Sequence, residues 1–193
     1  MHTRLLAQIG IFKTFIMISK ALKAPFFTPL FRLLMVIGFV LAARPAHAEF
    51  RAVSLDNNFP DEIAAAKEQG KFLVIMFQQI GCPYCEKMRA RVYPDPKVQK
   101  YYTKRFVLIE SNIRGELEVV SPQGQSMTEK KYARKNRIRA TPTFIYFDKN
   151  GKQALKVTGF MDVSRFIKAG QYVVGGVYKT KTSFYRYLQK STK

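Results

Sequence analysis

Residues 72–77 are apolar without a break, which predicts a strand buried on both faces of a sheet. The runs 106–110 and 143–147 predict two more strands. Asp148-Lys149-Asn150-Gly151 is a hairpin-turn sequence, and 153–158 supplies a fourth strand beyond it. Helical signals fall between the strands. Pro60-Asp61-Glu62 places acids in a first helical turn, an Ala-rich stretch carries that helix to Gln69, and Gly70 stops it. A second helix is expected over 82–92, with Pro94 and Pro96 ending it before a short turn through Tyr101-Tyr102. Thr128 caps a basic helix that reaches Asn136, 163–174 is helical, and 182–189 makes a terminal helix after the Gly175-Gly176 break. The lead-in 49–58 is irregular. The stretch 111–127 is the least readable, with a turn at Pro122-Gln123-Gly124 and a short strand or loop insertion over 116–120. Helices alternating with the first strands argue for parallel pairing, and the hairpin adds antiparallel strands at one side.

The first 48 residues read differently. Arg32 precedes an apolar run of 11 residues, 33–43, which is shorter than the roughly 20 needed to span a bilayer. Arg44 and Pro45 close the run, and Ala46-His47-Ala48 has the small-x-small pattern of a signal-peptidase site. The expected division is a signal peptide over 1–48 and one domain over 49–193, exported to the periplasm. The basic stretch before the run is long, which leaves two alternatives. Met17 is then the true start, or the further apolar run 9–18 helps to retain an uncleaved anchor, the one case in which a membrane is a partner.

Charge changes the picture less. The chain carries 33 bases and 13 acids; six bases lie in the first 48 residues, leaving 27 against the same 13 acids and a net +14 for the expected domain. Such a field favours anionic partners. No stacking platform or groove-reading helix accompanies it, so nucleic acid is not an expected partner. The basic segment Lys130, Lys131, Arg134, Lys135, Arg137 and Arg139 is either a solvated face or a dock for an acidic partner.

The chemistry lies in the only two cysteines, within Cys82-Pro83-Tyr84-Cys85 directly after the apolar strand. Pro83 suits the first helical position, because its missing N–H has no intrahelical partner there. Cys82 then stands at an exposed helix N-terminus, where unpaired N–H groups and the dipole favour a thiolate and lower the thiol pKa. Cys85, Met88 and Val92 share one helical face, so Cys85 is expected to be sheltered and to resolve a mixed disulfide. A zinc site lacks ligands: the two histidines are His2 and His47, and there is no third cysteine. As an inert staple the pair closes too short a loop to restrain much chain entropy. No cofactor and no metal are expected.

These residues, together with Thr141-Pro142-Thr143 at the start of the third strand, the turn 148–151 and Gly159, resemble the thioredoxin superfamily over roughly 61–188. Within it the chain is similar to exported thioredoxin-like proteins, including those associated with bacterial sulfur oxidation. The resemblance implies a thioredoxin-like α/β fold with a central mixed sheet of four to five strands flanked by helices. It implies a thiol–disulfide oxidoreductase, more readily a reductant, acting on a disulfide-containing protein and recharged by a membrane thiol donor. It makes Cys82 the nucleophile and Cys85 the resolving thiol. Pro142 becomes a cis-proline beside the disulfide, and Thr141 the residue whose backbone pairs with an extended substrate. Pro83 and Tyr84 complete the expected substrate-contact set. Thioredoxins hold a buried acid where this chain has Met76, which leaves Glu86 as a substitute proton acceptor only if the helix turns it inward. The other reading is a non-catalytic binding module that uses the basic surface.

Overall fold

A computed structural model describes residues 50–52, 54 and 57–190. The expected signal peptide lies outside the described residues. The chain runs α1 (Phe59–Glu68), β1 (Phe72–Gln78), α2 (Pro83–Lys87), a π-helical turn (Met88–Val92), α3 (Pro96–Tyr102), β2 (Phe106–Asn112), β3 (Glu118–Val120), β4 (Ser126–Thr128), α4 (Glu129–Lys135), β5 (Thr143–Phe147), β6 (Gln153–Thr158), α5 (Val163–Val174), a 3-10 turn (Val177–Lys179) and α6 (Phe184–Lys190). The main sheet has the order β2-β1-β5-β6. β1 and β2 are parallel, and β5 and β6 are each antiparallel to their neighbour.

β1 is central because both of its faces are apolar. Leu73, Ile75 and Phe77 point into one core, with Phe59 and Ile63 of α1 and Tyr132 and Ala133 of α4. Val74 and Met76 point into the other, with Cys85, Met88, Tyr102 of α3 and Phe166 of α5. β5 alternates in the same way, Ile145 and Phe147 to the first core and Phe144 and Tyr146 to the second. An unbroken apolar run is what a strand covered by helices on both sides requires. The result is a mixed four-stranded sheet flanked by helices, a thioredoxin-like fold.

Three elements differ from the sequence expectation. The turn expected at Tyr101-Tyr102 is the end of helix α3, whose start is fixed by Asp95: its carboxylate accepts from the Lys97 N–H at 2.8 Å, and Pro96 takes the first helical position. The helix expected over 82–92 changes pitch after Lys87, and the Tyr93 N–H reaches back five residues to the Met88 carbonyl at 2.9 Å. The stretch 111–127 holds a separate two-stranded hairpin: β3 falls within 116–120, where a short strand or a loop is expected, and the turn at 122–124 is where expected, while β4 is not expected. Glu129 explains why this insertion is held: it is buried, and accepts from the Ser111 hydroxyl at 2.8 Å and the Asn112 N–H at 2.7 Å.

Buried phenols make the domain sensitive to alkali. Burial raises the pKa of Tyr93, Tyr102 and Tyr146 well above the ordinary value, and that of Tyr132 to about 12. An unfolded tyrosine titrates near 10. Folded values above the unfolded one mean that the stability these groups contribute is intact below about pH 10 and is lost as pH rises through the folded values. Tyr132 alone is expected to remove about 1.4 kcal/mol per pH unit between 10 and 12. Urea unfolding from pH 8 to 11.5 checks this; a free energy that stays level above pH 10 contradicts it.

Candidate active site

β1 ends at Gln78, and Gly81 turns the chain with φ at 73°, a left-handed value that favours glycine. Cys82 follows as the N-cap of α2, extended at φ −87° and ψ 103°, with Pro83 in the first turn. Its sulfur accepts from the Cys85 N–H at 3.1 Å, and its carbonyl accepts from the Glu86 N–H at 3.2 Å. Cys82 and Cys85 are joined as a disulfide, with 5.3 Å between their Cα atoms. Cys85 is fully buried, in the same core as Met88 and Val92.

Cys82 departs from its expected exposure: it is 4% exposed in this oxidised form. Its bond to the buried Cys85 draws the sulfur inward, while Gly81, Pro83 and Tyr84 around it are exposed. The rim of the site is apolar and basic. Ile80 is 90% exposed and Tyr84 57%. The Tyr84 ring lies 6.3 Å from that of Phe160, and Lys87 Nζ sits 4.6 Å from the centre of the Phe160 ring. Phe160 is missing from the expected substrate-contact set. Its signal in the sequence is only its position directly after Gly159, where the chain leaves β6.

The 141–142 segment comes to the same end of the sheet. Thr143, the first residue of β5, pairs with Phe77 near the end of β1. The residues before β5 and those after β1 therefore emerge side by side. The Thr141–Pro142 peptide is cis. Pro142 is buried and Thr141 half-buried. The segment is pinned on both sides: the Thr143 hydroxyl donates to the Ala140 carbonyl at 2.7 Å, and the Gly159 N–H donates to the Pro142 carbonyl at 2.7 Å.

Below the dithiol, Met76 is fully buried, and its sulfur accepts from the Tyr93 hydroxyl at 2.9 Å. Glu86 does not turn inward to replace the absent acid. It is exposed and ion-paired with Arg89, which also grips the carboxylate of Glu110, the β2 neighbour of Met76. The hydrogen bond and the charge of Glu110 hold the Arg89 pKa above its ordinary value. Among the described residues no cluster of three or more His, Cys, Asp or Glu could hold a metal. In the basic segment Lys130 pairs with Glu116, Lys135 bonds Gln125, and Arg139 is exposed three residues before Pro142.

A strand that ends in a CxxC-capped helix, beside a proline-initiated antiparallel strand and its hairpin partner, defines a thioredoxin-fold protein. The thioredoxin-like domain family matches residues 59–174, more than half of the sequence, and the chain belongs to that family. It is 29% identical over 131 residues to the thiol:disulfide interchange protein DsbD of Salmonella typhi, a match that covers 67% of this chain and 21% of that protein. The DsbD of Photorhabdus laumondii is 25% identical over 150 residues, covering 70% of this chain and 24% of the relative. The chain thus spans less than a quarter of the length of these curated relatives. Among solved structures, a thioredoxin-fold protein from Helicobacter pylori superposes with a TM-score of 0.54 at 20% identity, covering 67% of this chain and 92% of that one. A putative disulphide-isomerase from Bacteroides thetaiotaomicron superposes with a TM-score of 0.50 at 19% identity, covering 64% and 90%. Both structures share the fold. Among the described residues no helix is long and apolar enough to cross a membrane.

Proposed function

We propose that this chain is a thiol–disulfide oxidoreductase that reduces disulfides in partner proteins, with Cys82 as nucleophile and Cys85 as resolving thiol. The observation that carries the reading is the disulfide between its only two cysteines, at the cap of the helix that follows the central strand. In the reduced protein the Cys82 thiolate attacks one sulfur of a partner disulfide. A mixed disulfide forms and one partner thiolate leaves. The Cys85 thiolate then attacks Cys82 Sγ, the mixed bond breaks, and the second partner thiolate leaves. The partner gains two electrons and, in water, two protons; this chain is left as the disulfide described above. The Cys85 N–H directed at Cys82 Sγ favours negative charge on that sulfur and not on Cys85. A dithiol donor must restore the reduced form, and a membrane thiol donor fits an exported protein. The curated relatives' role in thiol:disulfide interchange supports the reaction class.

In this reading 1–48 is a cleaved signal peptide, 49–193 works in the periplasm, and a partner segment lies across Pro83, Tyr84, Thr141 and Pro142. Phe160 extends that surface. Truncating it in Phe160→Ala removes one ring contact of about 1 kcal/mol, so kcat/KM for a protein disulfide is expected to fall roughly fivefold, with little change for a small disulfide such as oxidised glutathione. An equal fall for both substrates contradicts a docking role. Equilibration of the dithiol with glutathione buffers tests the direction: a potential above about −180 mV, in the range of protein oxidants, overturns reduction in favour of oxidation.

A further inference from the structure

Four of the domain's 27 bases line one depression that the redox reading does not use. Lys97 and Lys100 lie three residues apart on one face of α3, and Lys104 follows in the turn after its Thr103 C-cap. With Arg105, Tyr101 and Ile167 they line an open depression of about 330 Å³. Four of these six lining residues are cations and none is an acid. The nearest carboxylate in sequence, Asp95, is turned into the start of α3 as its cap. The floor is amphipathic: the Arg105 guanidinium lies 4.4 Å from the centre of the Tyr101 ring, and Tyr101 and Ile167 are half-buried.

The position of this face restricts its partner. The Phe72 N–H, at the start of β1, donates to the Arg105 carbonyl at 2.8 Å. Cys82 follows the other end of the same strand, about 20 Å away for seven residues in β conformation. Lys71 and the turn bearing Lys149 and Lys152 lie at the Arg105 end, because Leu73 pairs with Phe147. Asp148 is the carboxylate of that turn, and it accepts from the Asn150 and Lys152 N–H groups and from the Tyr178 hydroxyl. The depression thus lies at the opposite end of β1 from the dithiol, and a partner held within it need not be a redox client. An extended anionic surface that does not react is the partner that fits. Clustered Lys and Arg attract anionic headgroups, and tyrosine is suited to the bilayer interface.

We propose that the α3 face docks the domain on an anionic lipid bilayer, with the dithiol turned away from the membrane. This holds whether or not the dithiol reduces its partners. The test is lysine acetylation footprinting of the full chain, read by mass spectrometry, with vesicles of phosphatidylglycerol or of phosphatidylcholine. A site-by-site readout separates this face from any binding by the N-terminal apolar runs. Lys97, Lys100 and Lys104 are expected to be protected by phosphatidylglycerol alone, and exposed again in 0.5 M salt, while Lys130 and Lys131 stay unprotected. Lys97→Glu/Lys100→Glu/Lys104→Glu, at exposed positions, is expected to weaken the salt-sensitive part of vesicle binding about 100-fold. Equal protection by the neutral lipid, equal protection of Lys130 and Lys131, or protection by inorganic phosphate alone overturns the proposal. So does unchanged vesicle binding by the triple variant when its circular dichroism is native.

Discussion

Cys85→Ser is expected to arrest disulfide exchange halfway and to leave the protein covalently attached to its partner through Cys82. Cys85 is buried, at the first turn of α2, and its Cα is 5.3 Å from that of Cys82. In the proposed reaction it is the group that breaks the mixed disulfide. A serine hydroxyl cannot do so at neutral pH, so the intermediate accumulates. Cys82→Ser is expected to reduce turnover to the uncatalysed background, because the remaining sulfur lies in the core beside Met88 and Val92 and does not meet a partner. Insulin reduction and a non-reducing gel with an exported protein extract read the two outcomes. Wild-type turnover in Cys82→Ser, or a trap that forms equally well without Cys82, would remove the thiol mechanism. Salt-sensitive partner capture that survives loss of both cysteines would favour the binding-module reading instead. A disulfide sulfur carries no thiolate to alkylate, so alkylation reads the reduced form alone, in which Cys82, 4% exposed in the disulfide, is expected to turn outward and react fast. A reduced Cys82 that resists iodoacetamide at neutral pH would count against the same mechanism.

Phe166→Ala is expected to cost about 3–5 kcal/mol, enough to unfold a large share of a marginally stable domain. Phe166 is fully buried on α5 and stacks on Tyr102, with ring centres 4.2 Å apart and planes 2° from parallel. It also meets Tyr93 and Phe144. Its carbonyl accepts from the Tyr102 hydroxyl at 2.6 Å, and that hydroxyl pairs with the Tyr146 hydroxyl at 2.9 Å. One ring thus joins α5, α3 and β5 on the face that carries the dithiol. The cavity left by alanine cannot collapse easily, because its walls are aromatic rings held by these hydrogen bonds. Gly170 shows the same tightness on the next turn: a Cβ there would stand 2.8 Å from a Tyr101 ring carbon and 3.2 Å from the Tyr102 oxygen. Urea unfolding of Phe166→Ala against the exposed-site variant Arg165→Ala measures the loss. A difference below 1 kcal/mol would mean that this cluster is not what holds α5 to the sheet.

Much of the frame is written locally. The apolar run 72–77 specifies a strand covered on both faces, and the structure places Leu73 and Val74 in opposite cores. Gly70, Thr128 and the 148–151 turn sit where the chain stops a helix, caps one and reverses. Helix α3 was equally written, in Asp95-Pro96, and two nearby prolines obscured it: Pro94 ends a helix whereas Pro96 begins one. Of the hairpin β3–β4, the 122–124 turn was legible and β3 was one of two readings of 116–120, but β4 was not, because a strand of three residues carries too little periodicity to declare itself.

By itself the sequence determined the identities and local geometry of the reactive groups: two sulfurs at helical spacing, a proline in the first turn between them, and apolar strands before and after. Local backbone preference and side-chain period are enough for that, since each acts within a few residues. Only the tertiary structure decided what surrounds those sulfurs. It brought 141–142 to the end of β1 through the pairing of Phe77 with Thr143, set Phe160 and Lys87 on the rim, and put the Tyr93 hydroxyl on Met76 where an acid was missing. It also gathered Lys97, Lys100, Lys104 and Arg105 around Ile167 from a helix more than 60 residues further along the chain. These contacts join residues far apart in sequence, and no local rule encodes them; packing of both helical layers against one sheet does.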